Sequence, residues 1–273
     1  MRYINSIQNV IAFGRIDEIK SGITPQKWLQ SHWHIRIGDY VIAEPSSSFF
    51  VFLLAFVIMG LAFYMFKTKK HQRSRMLLGY SMFLWALSTF SAGISYQIFS
   101  YELKCVGQIE CLWTTPWEIL YLILYVISVK LLVLTISFSC ANATLRRYFH
   151  LYAIIMGIIY SFMLIIGIFT PNQFLISFEL MVLFLAPSYI LMFVLNLRNY
   201  MSTKNQLDIR LIYAWIGMLL ITISYFGFYY LKVADILWQN GIWFNANDVL
   251  HLLLIVWVVY FRYGVGDLIK DRE

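Results

Sequence analysis

Residues 49–66 read FFVFLLAFVIMGLAFYMF, a stretch without a single charged side chain. A helix rises about 1.5 Å per residue, so a hydrocarbon core of about 30 Å needs roughly 20 apolar residues to cross it. The next residues, KTKKHQRSR at 67–75, carry five lysines and arginines. An apolar run that ends in a basic cluster is typical of a transmembrane helix whose basic end stays in the cytoplasm.

The composition extends this pattern to the whole chain of 273 residues. Sixty per cent of the residues are hydrophobic and 13% are charged, whereas soluble domains average about 45–50% and about 25%. One water-soluble core cannot hide so much apolar surface, and lipid is the expected solvent. The net charge of +7 does not indicate a nucleic-acid partner, because the basic residues lie in short clusters between apolar runs.

Seven segments have the length and apolar character of a spanning helix. Their predicted bounds are Phe49–Phe66, Met76–Ser100, Trp117–Cys140, Leu151–Phe169, Phe174–Leu197, Leu211–Leu231 and Val249–Arg262. The connections on one side are rich in lysine and arginine, and those on the other side carry only Lys104 and Lys232. The sequence therefore predicts an all-α bundle of seven transmembrane helices, with the N-terminus outside and the C-terminus cytoplasmic.

The chain is predicted to divide into an outer tail at 1–48, a helix bundle at 49–265 and a short cytoplasmic tail at 266–273. Apolar residues at helical spacing predict an amphipathic helix at the start of the outer tail. They are Ile4, Ile7, Val10 and Ile11. Thr24 before Pro25 predicts the N-cap of a second short helix. This tail is expected either to cap the bundle or to act as a simple interfacial anchor.

Cys105 and Cys111 lie in the loop between the second and third helices, which the charge pattern places outside. Disulfides persist in oxidising compartments, so a structural disulfide is favoured over two free thiols. Cys140 lies near the cytoplasmic end of the third helix and is expected to stay reduced. These features predict a multi-pass protein of a bacterial inner membrane, or of another membrane whose outer side is oxidising.

Two acidic residues near helix starts have a structural interpretation. Glu118 stands three residues after Thr115 and is preceded by Pro116, which is the pattern of a capping box. Asp248 has the same spacing from Asn245. Such carboxylates accept hydrogen bonds from free backbone amides and complement the helix dipole. The alternative interpretation is that both residues contribute to a binding site that faces outward.

Three ionisable residues within the helices are harder to explain. Lys130 lies near mid-membrane in the third helix and Glu179 near the outer end of the fifth, and burying either alone would cost at least about 2.5–3.5 kcal/mol. They are predicted to form an ion pair, or Lys130 to extend its amine toward the membrane surface, or both to line a polar cavity open to the outside. His251 lies one turn into the seventh helix, where it indicates a functional site or a hydrogen bond to a neighbouring helix. Gln97 is placed near the same outer region.

His32 and His34 have a spacing that suits metal binding from an extended segment. If the outer tail folds over the bundle, both could meet His251, with Asp248 or Glu118 nearby. Three such ligands and a water molecule would suit catalytic zinc. An enzymatic function of the protein would depend on this zinc site.

The polar residues together predict a binding or sensing protein with an outward-facing pocket for a small molecule or a lipid. The predicted ligand-binding residues are Gln97, Glu118, Lys130, Glu179, Asp248 and His251. One alternative is a zinc-dependent membrane hydrolase that acts on a lipid, with zinc-bound water as the nucleophile. Another is a proton-coupled transporter in which Glu179, Lys130 and His251 relay charge.

Overall fold

A computed structural model describes residues 15–272 of the chain. All seven predicted helices are present, and each is long and apolar enough to cross a bilayer. With helices numbered in chain order, the spanning ones are α2 (Pro45–Thr68), α3 (Arg73–Ala92), α5 (Pro116–Cys140), α6 (Ala143–Phe169), α7 (Phe178–Thr203), α8 (Gln206–Tyr230) and α10 (Ala246–Tyr260). The chain is therefore a multi-pass membrane protein of the all-α class. The predicted stripe of Ile4, Ile7, Val10 and Ile11 lies outside the described residues.

Shorter elements complete the chain and lie mostly at one end of the bundle. They are 3₁₀-helices at Ile16–Glu18 and Phe174–Ile176, α1 (Pro25–Ser31), β1 (His34–Ile37), β2 (Tyr40–Ala43), α4 (Ser100–Lys104) and α9 (Val233–Gln239). Two spans also end in a wider helical turn, because π-helices continue α3 over Gly93–Ile98 and α10 over Phe261–Val265. Turns of this kind often occur at functional sites.

The short helix predicted after Thr24 is present as α1, and the residues that follow it form strands. Thr24 is the N-cap of α1, and its hydroxyl oxygen accepts a hydrogen bond from the Lys27 amide at 3.4 Å, as predicted. The next segment forms an antiparallel hairpin of β1 and β2. Gly38 sits in the turn with a φ of 60°, which glycine adopts without steric cost. Val41 and Ala43 turn one face of β2 inward, where both are buried.

Helix caps explain why several spans begin away from the bounds that hydropathy predicts. α6 begins at Ala143, well before the apolar run, because the Asn142 side chain accepts a hydrogen bond from the Leu145 amide at 2.9 Å. α7 begins later than predicted, and Ser177 is its cap. Apolar residues mark the part of a helix that lies in lipid, whereas the cap sets where the helix starts.

Six of the spanning helices form a closed ring in the order α2, α3, α5, α7, α8 and α10, and α10 packs back against α2. α6 lies outside this ring and packs mainly on α5. Its outer face is apolar: Ile154, Ile158 and Phe162 recur every four residues, and each is more than half exposed in the isolated chain. A helix that is apolar on its exposed face fits a lipid environment.

Residues 15–44 pack across one end of the bundle, which we call the disulfide end. The predicted disulfide between Cys105 and Cys111 is formed there, and both cysteines are buried. A backbone hydrogen bond of 2.9 Å from the Trp113 amide to the Ile19 carbonyl oxygen joins the segment to the disulfide loop. The segment is thus held by defined contacts rather than by apolar surface alone.

Residues 266–272 pack across the opposite end, which we call the C-terminal end. The Asp271 carboxylate accepts hydrogen bonds from the backbone amides of Arg73, at 2.8 Å, and Ser74, at 2.7 Å. Both amides belong to the first turn of α3, where no intrahelical partner is available. Arg75 in turn donates to backbone carbonyl oxygens of the tail. The tail therefore supplies the N-terminal cap of a transmembrane helix.

Candidate functional site

A cavity of about 510 Å³ opens at the disulfide end. Its lining comes from three stretches of the chain: residues 31–46, residues 225–235 and residues 238–247. They belong to the segment around the β-hairpin, to the end of α8 with the start of α9, and to the connection into α10. The cavity exists only because these distant stretches meet, and its volume is that of a small-molecule site.

Three tryptophans form one side of the cavity, and we call them the tryptophan wall. Trp33 lies just before β1, Trp238 lies on α9, and Trp243 lies in the connection to α10. The ring centroid of Trp33 is 3.7 Å from that of Trp243 and 5.0 Å from that of Trp238. The wall thus ties the N-terminal segment to the last connection of the bundle.

Glu44 places a carboxylate in this cavity. Its backbone is left-handed, with a φ of 41°, and its amide donates to the Trp33 carbonyl oxygen at 2.7 Å. Residues held in this conformation cluster at ligand sites. The carboxylate accepts a hydrogen bond from the Asn245 side-chain amide at 3.2 Å, and Asn247 and Ser47 provide weaker polar contacts. Burial raises the pKa of Glu44, the Asn245 hydrogen bond opposes the rise, and the nearby Asp248 carboxylate adds to it.

Asp248 lies directly beneath the cavity and has the structural role predicted for it. Asn245 and Asp248 form a complete capping box at the start of α10. The fully buried Asp248 carboxylate also accepts hydrogen bonds from the hydroxyls of Ser46, at 3.0 Å, and Ser47, at 2.8 Å. These bonds join the start of α10 to the start of α2 beneath the cavity. Asp248 does not line the cavity itself.

His32 lines the cavity and is held in one orientation. Its ring stacks on Trp28 with centroids 4.1 Å apart, and its Nδ1 lies 2.9 Å from the Trp28 carbonyl oxygen. Nδ1 is therefore the protonated nitrogen, since a carbonyl oxygen only accepts. Burial lowers the pKa of His32, although this hydrogen bond opposes the shift.

The predicted metal trio does not come together. The Nδ1 of His34 is used in a hydrogen bond of 2.9 Å to the His32 carbonyl oxygen. Between residues 15 and 272, no three histidine, cysteine, aspartate or glutamate side chains form a group that could hold a metal ion. His251 lies on α10 and does not line the cavity. The zinc hypothesis required the ligands to converge, and the hairpin holds His34 away from the bundle interior.

Residues 47–270 match DUF6962, a family of unknown function. The chain belongs to the DUF6962 family. No curated protein and no solved structure matches it. The matched stretch runs from the first spanning helix to the last and includes Trp238 and Trp243 of the cavity, whereas His32, Trp33 and Glu44 precede it.

In this DUF6962 protein Glu118 is buried, but the predicted capping box around it is wrong. The Thr115 hydroxyl makes no cap and pairs with the hydroxyl of Ser95 at 2.6 Å. The Glu118 carboxylate accepts a hydrogen bond from the same Ser95 at 2.8 Å and forms a salt bridge of 2.5 Å with Lys104 on α4. The disulfide loop brings this lysine close, and a cation competes better for the carboxylate than a backbone amide does.

Lys130 is buried, but it neither pairs with Glu179 nor lies at the base of the cavity. Its Nζ donates to the Ser188 hydroxyl at 2.8 Å and to the Phe184 carbonyl oxygen at 3.1 Å, both on α7. Pro187 lies between these partners in sequence and interrupts the helical hydrogen bonds at this level. The mid-membrane lysine therefore stabilises a proline-containing helix, which explains it without an ion pair.

Glu179 lies on the first turn of α7, near the disulfide end, and is exposed. Lys130 meets α7 one to two turns further along, so the two charges are too far apart along the helix to pair. No salt bridge joins them among residues 15–272. Glu179 does not line the cavity.

Gln97 and His251 are predicted site residues whose hydrogen bonding is incomplete in the described part of the chain. Gln97 lies in the π-helix that ends α3, and its Oε1 is buried without a hydrogen-bond partner in the described part of the chain. The Nδ1 of His251 is in the same state. Neither residue lines the cavity at the disulfide end. Both remain predictions, because their free polar atoms point to no ligand by themselves.

The cavity therefore contains one predicted site residue, His32, and several that the sequence did not single out as ligands. The most important of these are Trp33, Glu44, Trp238 and Trp243. One signal was available, since tryptophans in short connections outside the apolar runs need a partner surface or the membrane interface. The pairing of Trp33 with Trp243 could not be seen, because 210 positions separate them in the sequence.

A second cavity, of about 440 Å³, lies at the C-terminal end. It is bounded by the end of α5, the connection from α7 to α8, and residues 268–272. The buried Asp208 at its edge accepts a hydrogen bond from the Asn196 side-chain amide at 2.8 Å, and Asn196 accepts one from the Trp215 indole at 2.9 Å. None of its lining residues in the described chain is aromatic.

Proposed function

We propose that this protein is a membrane-embedded binding or sensing protein whose ligand, a small molecule or a lipid, occupies the cavity at the disulfide end. The observation that carries the proposal is the combination of the tryptophan wall with the half-buried carboxylate of Glu44 in one cavity of about 510 Å³. Mostly apolar and aromatic walls with a few placed polar groups are the usual chemistry of a ligand pocket.

The proposal includes an orientation in which the disulfide end faces outward and the C-terminal end faces the cytoplasm. Connections near the disulfide end carry two basic residues, Lys104 and Lys232. Those near the C-terminal end carry ten: Lys67, Lys69, Lys70, Arg73, Arg75, Arg146, Arg147, Arg198, Lys204 and Arg210. This asymmetry and the position of the disulfide support the same direction.

The mouth of the cavity lies where α8 leaves the apolar region. Tyr229 and Tyr230 line the cavity and are 61% and 73% exposed. Tyrosines with one polar end collect at the membrane interface. A ligand could therefore enter from water or from the outer leaflet, which is why both a small molecule and a lipid fit the proposal.

A sensing role is supported by the course of α10. This helix begins at the cavity, where Asn247 is part of the lining, and runs to the C-terminal end. Along the way the Trp257 indole donates to the Ala214 carbonyl oxygen at 2.8 Å, which ties α10 to α8. The chain then passes directly into the tail that carries Asp271. A ligand that shifts the start of α10 would act on one continuous element that reaches the other end.

Native mass spectrometry of the protein extracted in a mild detergent tests the binding function. We expect a bound mass that is lost in the Trp33→Ala, Trp243→Ala variant. Trp117→Ala is the matched control, because Trp117 is similarly exposed and lies outside the cavity lining. The conservative variants Trp33→Phe and Trp243→Phe test whether a lost mass results from misfolding rather than from loss of the binding surface. If the wall variant keeps the same bound mass as the control, the cavity is not the binding site.

The orientation is tested separately with a membrane-impermeant maleimide applied to intact cells. Cys105 and Cys111 should react from outside only after reduction of the disulfide. Labelling that requires disruption of the membrane would reverse the proposed direction.

A further inference from the structure

We propose that the cavity at the disulfide end binds an organic cation, a protonated amine or a quaternary ammonium group, with the tryptophan wall against it and Glu44 as its counter-ion. This inference rests on the proposed binding function and narrows it to one chemical class of ligand.

The tryptophan wall is the first observation that supports a cationic ligand. A cation is attracted to the negative face of an aromatic ring, and tryptophan is the strongest of the aromatic side chains in this respect. Trp238 and Trp243 remain 38% and 37% exposed although they pack against Trp33, so their surfaces are available to a ligand. Further aromatic rings in the lining come from α8 and the connection to α10: Tyr225, Phe228, Tyr229, Tyr230 and Phe244.

Glu44 is the second observation. It is the acidic residue that the segment before α2 contributes to the cavity, and its Oε2 accepts a hydrogen bond from Asn245. Asn247 and Ser47 provide weaker polar contacts, and no cation pairs with the half-buried carboxylate within residues 15–272. A carboxylate partly removed from water is stabilised when a cation pairs with it. A ligand cation would supply that opposite charge.

The chemistry of the lining argues against the two other classes of ligand. An anion would have to lie near the Glu44 carboxylate, and the basic residues of the lining are Lys232, which is exposed at the rim, and His32, whose pKa is lowered by burial. A wholly apolar ligand would cover Glu44 without pairing it, which costs free energy. Asp235 is also exposed at the rim and offsets the charge of Lys232. The buried part of the site is therefore negative.

The titratable groups in and beneath the cavity determine how binding depends on pH. They include Asp248 on α10, which lies close to Glu44, and the lining residues His32, Tyr225, Lys232 and Asp235. A bound cation stabilises the ionised carboxylate and so opposes the effect of burial on the pKa of Glu44. Affinity for the cation should consequently increase as pH rises through that pKa and then level off, because protons and ligand compete for the same carboxylate.

Calorimetric titration of the detergent-purified full chain tests the proposal with choline, ethanolamine and tetramethylammonium as cations. 3,3-Dimethylbutan-1-ol is the matched neutral probe, because it has the shape of choline with carbon in place of nitrogen. We expect at least one of the cations to bind, and choline to bind about tenfold or more tightly than the neutral probe, as a desolvated cation–π contact predicts. Equal affinity for choline and the neutral probe would overturn the inference.

Substitutions in the lining test whether the cation binds in this cavity. Glu44→Gln keeps the size of the side chain and should weaken binding of the cation about tenfold. Glu110→Gln is the matched control, since Glu110 is an exposed carboxylate at the same end and outside the lining. A Trp243→Leu variant should weaken cation binding more than binding of the neutral probe. Unchanged cation affinity in Glu44→Gln would overturn the role of the counter-ion and with it the inference.

Lipid nanodiscs distinguish a headgroup from a free cation. In discs of phosphatidylethanolamine a headgroup ligand would compete with added choline and weaken its apparent affinity relative to discs of phosphatidylglycerol. Equal affinity in both discs would assign the site to a soluble cation, and either result supports the cationic class. If no cation binds but native mass spectrometry still finds a cavity-dependent mass, the inference fails and the binding function stands. If that mass is absent too, both fail.

Discussion

The two ends of the bundle each contain a cavity, of about 510 Å³ at the disulfide end and about 440 Å³ at the C-terminal end. The volumes are similar, but the walls are not. The first is lined largely by aromatic rings and holds the half-buried carboxylate of Glu44, whereas the second has no aromatic residue in its described lining and is bounded by polar side chains such as Asn199 and Asp208. Volume alone therefore does not identify a ligand site; the chemistry of the walls does.

The carboxylates at the two ends also differ in how far hydrogen bonds compensate for their burial. Burial raises the pKa of Glu44, whose hydrogen bonding is too weak to compensate. Burial would also raise the pKa of Asp271, but hydrogen bonds from Ser74 and Arg73 lower it below its ordinary value. One end holds a charge at a cost in stability, which is typical of functional sites, and the other uses a charge to stabilise the fold.

The largest expected loss of stability is at the disulfide end, where one substitution removes the partner of a buried charge. Lys104→Met leaves Glu118, which is 2% exposed, without its cation. We expect a loss of about 3 kcal/mol in stability, measured by thermal unfolding in detergent. The double variant Lys104→Met, Glu118→Gln should recover much of this loss. A single variant as stable as wild type would show that the ion pair does not hold this end together.

A smaller effect is expected at the C-terminal end. Asp271→Ala removes the acceptor of two amides at the start of α3 and should cost about 1 kcal/mol, as the loss of an N-cap does. Because the pKa of Asp271 is lowered in the folded protein, this contribution is present above the ordinary pKa of aspartate and is lost as pH falls through the folded value. Asp271→Asn keeps an acceptor and should lose the pH dependence. Melting temperatures at neutral and acidic pH compare the three proteins.

Glu44→Gln should have a small effect of the opposite sign without ligand. The raised pKa of Glu44 means that the folded protein holds a proton which the unfolded chain releases, so stability falls as pH rises from the ordinary pKa to the folded one. The variant should thus be as stable as wild type in acid and more stable at neutral pH. A wild-type protein more stable than Glu44→Gln at neutral pH would contradict the view that this carboxylate is held at a cost.

The smallest expected effect concerns Lys130 and Glu179. They have separate surroundings, so Lys130→Met and Glu179→Gln should add in thermal stability within about 0.5 kcal/mol. The loss from Lys130→Met should exceed that from Glu179→Gln, because Lys130 bonds to Ser188 and Phe184 in the membrane interior. A coupling larger than this would restore the predicted ion pair and link the cavity to the centre of the bundle.

Local features of the site were predictable and long-range ones were not. The cap of Thr24, the capping box of Asn245 and Asp248, and the disulfide of Cys105 and Cys111 each join residues a few positions apart. The partners of Glu118 and Lys130 come from other helices, and neither the capping box predicted for Glu118 nor the ion pair considered for Lys130 is present among residues 15–272. At Glu118 the local pattern was sound, but a lysine from a different element displaced the backbone amide.

The sequence by itself determined the seven spans. In lipid every backbone polar group must bond within its own segment, so long apolar runs become helices whatever surrounds them. Only the tertiary structure decided the ring order of the helices, the packed C-terminal tail and the cavity. Trp33, Glu44, Trp238 and Trp243 form one site because separate elements meet at the disulfide end. Such contacts depend on the free energy of packing the whole chain, which no local pattern contains.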